Sequence, residues 1–551
     1  MAKAKKSQPE PISSPAAASM RSPLLVALPA MLLAAAVLLP FLDKAFTVDD
    51  TLFLKQAQHL LTDPLHPTAF SIVWSEFPWP VRMSAIMPSG PVTAYLLIPC
   101  VSAGGQEWIG HITQLLMFML GLVAVASLAM RLGRSEAEAR VASLILVSTP
   151  VALAMASNCM PDVPAMALGL VGIERIVAWR EDRRLHQLVI AVAALIAAAL
   201  ARPHLAVLWG TATLVMVGDA RSLRSWKGMP RLNWFAVAAL PALAVVILLV
   251  TRDPEAPIGA FVGAAKTFGG FKNVANNAVA FSAHWSLVIP FAIPWVVLHP
   301  KRMLKRVGLY ASAIGAVIVL QARGAHHPYL VGAAAGIGIA SVWDVFHDGW
   351  RRKDSIQLVL GSWLLVSIPV LFYQHLPSKY QLASAPAVAI LVATALARQS
   401  AQVRRFATAA IVIVGVGLGH LIVRADNELA ELGRRAAREL IAPNVAAGRR
   451  VWFDGHWGFQ WYAEKAGAVC LTATPPRPAF GDLAVSSLRT GGGVNALFPG
   501  RVLVQTLPSS PRGGRIMSFA LDAGFYGTAW GYLPWAWGND VTDRYELWRL
   551  Q

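Results

Sequence analysis

The sequence predicts a mainly α fold: a polytopic transmembrane helical bundle of about thirteen spans, followed by a C-terminal α/β domain outside the membrane. Three observations predict it. The 551 residues are 56% hydrophobic and only 14% charged, a balance foreign to soluble globular chains. Apolar runs of roughly 20 residues, the length that crosses a hydrocarbon core, recur as far as residue 423. Beyond that point the composition becomes that of an ordinary soluble domain, residues 424–551.

The elements follow in order. Residues 1–21 are polar and rich in Ala, Ser, Pro and Lys, which predicts a disordered cytoplasmic tail. Residues 22–423 form the membrane body. Its apolar runs lie near 22–42, 110–131, 139–156, 163–180, 186–201, 203–219, 232–251, 281–298, 304–321, 327–346, 355–374, 380–397 and 403–423. Arg202-Pro203 splits the fifth run from the sixth, and their combined length favours two spans over one kinked helix. A large loop, 43–109, separates the first two runs. Its stretch PVTAYLLIPCVSA (91–103) is too short to span and reads as a helix at the interface.

Basic residues set the orientation. Lys3, Lys5, Lys6 and Arg21 precede the first run. Clusters then recur in alternate loops, such as Arg180, Arg183 and Arg184, or Arg221, Arg224, Lys227 and Arg231. This places the N-terminus in the cytoplasm, and both the loop 43–109 and residues 424–551 outside. The net charge of +18 is then mostly topology signal, with some attraction to anionic membrane lipids, and needs no nucleic acid. The first run is longer than a signal-peptide core, and LLPFLDKAF offers no small-residue cleavage site. Three scattered cysteines, Cys100, Cys159 and Cys470, make no disulfide framework.

Residues 424–551 alternate helix and strand signals. DNELAELGRRAARELIA reads as a helix with Asp426 suited to cap it. GFQWYAEKAG reads as a short helix ended by Gly467. RRVWFD, AVCLT, DLAVSSL, RVLVQTL and RYELWRL read as strands. TGGGVNALFPG does not join strand to helix as a phosphate-binding loop does, so it reads as a plain loop.

Four sets of residues have the chemistry of a site. Asp49 and Asp50 open the outer loop, in FTVDDTLFLKQAQHLL. Either suits proton abstraction or cation binding, and either suits capping the helix that follows. Asp162, in NCMPDVPAMAL, sits at the outer turn between the third and fourth runs, with the same two readings. Arg82, Arg202, His204, Arg323, His326, His327 and Lys379 are the few outward cations and histidines. As a set they suit a phosphate anion, and singly they suit lipid headgroups. Adjacent His326 and His327 lack the spacing of a metal pair. Trp530, Trp535 and Trp537 suit stacking on sugar, and equally interfacial packing. There is no nucleotide-binding loop, HExxH motif or serine nucleophile elbow. A reaction driven by carboxylates and phosphate recognition remains, with a donor already activated.

FTVDDTLFLKQAQHLL, PSGPVTAYLLIP, EWIGHITQLL, NCMPDVPAMAL, SKYQLASAPAVAILVA and GRRVWFDGHWGFQWYAEKAG, in that order, resemble bacterial membrane glycosyltransferases of the C fold class. The group they resemble holds the dolichyl-phosphate-mannose protein mannosyltransferases and the lipid A aminoarabinose transferase. The resemblance implies an enzyme of the bacterial inner membrane. It would take a sugar from a polyprenyl-phosphate donor at the outer face and pass it to a lipid, glycan or protein acceptor. It maps catalytic acids to Asp49 or Asp50 and to Asp162, and a donor-phosphate cation with its tyrosine to Lys379 and Tyr380. Two departures stand out. MSAIMPSGP lacks the lysine that many members carry before the proline, so either Arg82 substitutes or donor-phosphate binding differs, and His111 stands where members often have arginine. An acceptor hydroxyl would give its proton to Asp49 or Asp50. A phosphate acceptor would leave those acids to orient a divalent cation or the acceptor itself. Two other classes fit the same charges: a transporter or flippase of lipid-linked intermediates, and a non-catalytic envelope assembly protein.

Overall fold

A computed structural model describes residues 21–74, 77–86, 91–219, 221–256, 270–305, 307–492, 494 and 497–551. The tail 1–20 and the centres of MSAIMPSGP and TGGGVNALFPG lie outside the described residues.

Among the described residues, seven helices are long and apolar enough to cross a membrane, or nine if two bent pairs each count as one span. The bent pairs are Glu136–Val147 with Pro150–Ala156, at 63°, and Phe271–Leu287 with Ala292–Leu298, at 60°. Pro150 at the start of its segment accounts for the first break, since it has no N–H to continue the helical ladder. The other four expected runs are also helical. Leu185–Ala201, Pro203–Val217 and Gly308–Ala322 are apolar but short. Asp162–Asp182 is long but carries Glu174 and Arg175. Glu174 is buried, and Arg131 and Arg175 neutralise it. The count of thirteen therefore exceeds what length and composition alone support.

The outer loop is compact. Helix Asp50–Leu60 packs on helix Val92–Ser102, and strands Ser71–Trp74 and Phe77–Arg82 form an antiparallel hairpin beside them. Val92–Ser102 has 11 residues, too few to span.

The last membrane helix does not stop where the apolar run ends. Ala401–Ala436 continues unbroken for 36 residues. Asp426 therefore caps nothing; it lies inside this helix, buried. Past a short π turn at Ala437–Ile441, the chain enters a five-stranded sheet. Its order is Val469–Cys470, Val451–Asp454, Leu483–Ser487, Arg544–Leu550, Arg501–Pro508. The first three strands run parallel and the last two pair antiparallel. Helix Gly458–Lys465 crosses over from the strand before it and packs toward the outer loop.

Two glycines permit the close approaches that join these layers. A Cβ on Gly415 would meet the Ser148 carbonyl oxygen at 2.1 Å, where the last span crosses the first broken one. A Cβ on Gly458 would meet the Phe46 carbonyl oxygen at 1.9 Å, so the sheet region seats directly on the outer loop. Phe46 is buried there, and its N–H donates to the Tyr462 hydroxyl at 2.9 Å.

Candidate active site

The site begins with backbone strain. Val48 has φ +39°, the left-handed region that a β-branched residue rarely enters. The kink sends the two following carboxylates to different places. Asp50 turns inward and is fully buried. Its Oδ2 accepts the Thr47 N–H at 2.9 Å and its Oδ1 the Cys159 N–H at 2.9 Å. Asp50 thus staples the outer loop to the turn between the third and fourth apolar runs. Burial pushes its carboxyl up to about 7, against the opposing pull of Lys44. Both Asp50 oxygens are thus engaged and buried.

Asp49 sits at the N-cap of Asp50–Leu60, yet its side chain caps nothing. Its Oδ2 instead accepts from Lys379 Nζ at 3.0 Å. The Asp49 side chain is 33% exposed and that of Lys379 only 5%. The open member of the pair is therefore the carboxylate. Burial opposes its charge, but Lys379 and then Arg202 outweigh that and hold the carboxyl below its ordinary value.

Arg202 holds Asp162 through both arms of its fork, Nη2 to Oδ2 at 2.7 Å and Nε to Oδ1 at 3.1 Å. Asp162 lies in the first turn of its helix, where the helix dipole also favours a negative charge. The Arg202 guanidinium lies 5.1 Å from the centre of the Tyr380 ring, and His204 packs on the same ring at 5.3 Å. Tyr373 and His375 complete the wall, their rings 5.2 Å apart. Burial, aided by the Lys379 charge, lowers the His375 pKa, so its imidazole is neutral at pH 7. Asp49, Asp162, Arg202, His204, Lys379 and Tyr380 thus come together from four distant stretches of chain.

The other expected residues lie elsewhere. Arg82 pairs with Asp253 at 2.5 Å and with Glu255 at 3.1 Å. Arg323 is exposed. His326 and His327 are exposed, on the side of Asp522, whose carboxyl burial raises. None of the four acts on Asp49, which answers to Lys379, Arg202 and His375. Trp530 stacks under Arg489, its ring centre 4.7 Å from the guanidinium carbon.

Beneath the cluster lies a network that sequence reasoning missed. Lys44 and Asp426, both buried, pair at 2.8 Å. Lys44 also donates to the Ser157 carbonyl at 3.1 Å and to Asn158 Oδ1. The Tyr526 hydroxyl donates to Asp426 at 2.9 Å, and its ring lies 5.6 Å from Lys379 Nζ. The signal for Lys44 was present, a lysine just beyond the first apolar run; nothing local marked its partner.

Among the described residues, no three His, Cys, Asp or Glu side chains converge to hold a metal ion. Asp49 and Asp162 each already face a cation, so they do not form a set of free oxygen ligands.

No family model matches this chain, and no curated protein does. Among solved structures it is similar to ArnT from Cupriavidus metallidurans bound to undecaprenyl phosphate. That match has a TM-score of 0.49 and 15% identity, covering 88% of this chain and 96% of that one. The same ArnT in the apo state gives 0.44 and 16%, over 88% and 95% of the two chains. The archaeal oligosaccharyltransferase AglB from Archaeoglobus fulgidus, in complex with an inhibitory peptide and a dolichol-phosphate, gives 0.49 and 11%, over 84% and 69%.

Proposed function

We propose that this chain is a membrane glycosyltransferase that moves a sugar from a polyprenyl-phosphate donor to an acceptor at the membrane surface. The observation that carries the reading is the meeting of two buried cations, Lys379 and Arg202, beside one open carboxylate, Asp49. A phosphate needs cations, and a nucleophile needs a base next to them. The ordered motifs of the sequence support the same reading.

The reaction is a single displacement with inversion. An acceptor oxygen attacks the anomeric carbon, and the bond from that carbon to the phosphate oxygen breaks. Its electron pair leaves on the polyprenyl phosphate, whose growing charge Lys379 and Arg202 stabilise. A hydroxyl acceptor gives its proton to Asp49. Donor binding itself activates that base. Drawing Lys379 toward the phosphate removes the cation that keeps the Asp49 carboxyl low, so its basicity rises only when a donor is present. Tyr380 flanks the guanidinium of Arg202, and His204 packs on the Tyr380 ring.

In this reading the chain has thirteen spans in a bacterial inner membrane. The short helices cross as well, the N-terminus is cytoplasmic, and the site and the sheet region lie outside. The acceptor is a lipid, glycan or protein of that compartment. The test is sugar release from polyprenyl-phosphate donors by the purified full chain in nanodiscs. Wild type should consume a donor and Asp49→Asn should not. Equal consumption by both would remove the reading.

A further inference from the structure

A second polar cavity, of about 840 Å³, lies on the far face of the helix that carries Asp426. Its walls are that helix from His420 to Arg435, residues 509–514 and the indoles of Trp535 and Trp537. Phe41, at the end of the first span, forms its edge, so the cavity opens where the membrane surface must run. Asp426, on the inward face, belongs to the Lys44 network, so the helix separates this cavity from the Asp49 cluster.

The cavity holds more hydrogen-bonding capacity than the protein uses. Arg424 and Arg512 line it and make no ion pair or hydrogen bond through their guanidinium groups among the described residues. The neighbouring cations are spent: Arg435 on Glu439 at 3.2 Å, and Arg434 on Glu431 at 2.5 Å. Trp535 Nε1, Ser509 Oγ and Glu428 Oε1 are buried at the cavity and have no hydrogen-bond partner. Glu428 Oε1 forms a long ion pair with Arg515 Nη1, at 3.9 Å. Buried polar groups left bare cost about 1–3 kcal/mol each, so the indole N–H and the serine hydroxyl gain from a ligand that bonds them.

We infer that this cavity binds the headgroup of a hydroxylated anionic lipid. Two free guanidiniums match a phosphate. The indole N–H and the serine hydroxyl supply neutral donors. The Glu428 carboxylate, paired with Arg515 and partly open, can accept from a hydroxyl, which a phosphate alone lacks and a phosphoglycerol or phosphosugar has. The adjoining indoles offer a flat apolar wall to glycerol or sugar. The inference does not depend on the transferase reading, since none of these residues belongs to the Asp49 cluster.

The test is native mass spectrometry of the full chain, titrated separately with phosphatidylglycerol, with phosphatidylcholine and with a polyprenyl phosphosugar. Wild type is compared with the Arg424→Ala/Arg512→Ala double variant and with Trp535→Phe. Both arginines are exposed, so the double variant should fold. Trp535→Phe keeps the wall and removes one donor. The expected result is at least about tenfold weaker binding in the double variant for an anionic lipid, a smaller loss in Trp535→Phe, and no change for phosphatidylcholine. A loss confined to phosphatidylglycerol identifies bulk lipid as the source. A loss confined to the phosphosugar identifies a lipid-linked saccharide. Phosphosugar bound at the Asp49 cluster is common to all variants and cancels in the comparison. Equal binding of both anionic lipids by wild type and double variant, or an equal loss for phosphatidylcholine, overturns the inference.

Discussion

Lys379 Nζ lies 3.0 Å from Asp49 Oδ2, a contact between residues 330 positions apart, and only the carboxylate is open. A pair of this kind is a poor stabiliser: its exposed half is screened, and desolvation of the lysine opposes it. Its value lies in what replaces it when a phosphate arrives.

The two adjacent aspartates should therefore fail differently. Asp49→Asn should leave thermal unfolding unchanged and cut turnover by about 10²–10⁴-fold, the usual worth of a positioned base. Asp50→Asn should lose about 1–3 kcal/mol of stability, because the amide NH2 replaces one of the two accepting oxygens and leaves a buried backbone N–H facing a donor. Thermal melts beside donor turnover separate the cases. Equal stability loss in both variants would sink the assignment.

Cation variants should sort by place. Lys379→Met should weaken donor-analogue binding by about tenfold or more. Arg323→Ala should leave it unchanged, since Arg323 is exposed and is not among the charges that act on Asp49. Titration of undecaprenyl phosphate into each purified variant decides the point. A larger effect at Arg323 would move the phosphate site.

Asp50 also gives a pH signature. Its folded pKa, about 7, stands above its unfolded value of 3.8. The folded state thus holds an extra proton between those values. Its contribution is full below 3.8 and is lost as pH rises through 7. Melting temperature should fall between pH 5 and 8 in wild type, and less so in Asp50→Asn. Parallel profiles would show that another group governs the slope.

Lys44→Met should be among the most damaging single changes, costing about 3–5 kcal/mol, because Asp426 is left charged and buried. Adding Asp426→Asn should restore much of the loss. Chemical unfolding of single and double variants measures the coupling; additive losses would mean the pair is not a unit.

Orientation is open to a direct check. A reporter at Ser225, between Arg221 and Arg231, should read cytoplasm, and one at the C-terminus should read the outer compartment. The reverse pattern would place the Asp49 cluster on the wrong face for an outer-leaflet donor.

The helices and strands were legible because their signals are local: apolar runs for the membrane body, alternating runs for the sheet. Asp49, Asp162, Arg202 and Lys379 were legible as charges at membrane boundaries, where each needs a reason to be. Asp50 was not separable from Asp49, because their difference rests on the φ of Val48. Asp426 was misread for a related cause. DNEL after an apolar run resembles a new helix start, while the true helix runs straight through it. Its partner Lys44 lies 382 positions away, and no local pattern encodes that meeting. Arg323, His326 and His327 shared the outward-cation signature, yet they are exposed and are not among the charges that act on Asp49.

The unbroken helix Ala401–Ala436 has a mechanical meaning. It enters as a membrane span and ends beneath the sheet, with no hinge between. The tilt of a span is set partly by the match between its apolar length and bilayer thickness. A rigid rod passes that tilt on. Asp426, fixed on the rod, holds Lys44 and Tyr526 below the Asp49 cluster. A thinner or thicker bilayer therefore works as a lever on the floor of the site, and lipid composition becomes a setting of the protein's geometry as well as its solvent.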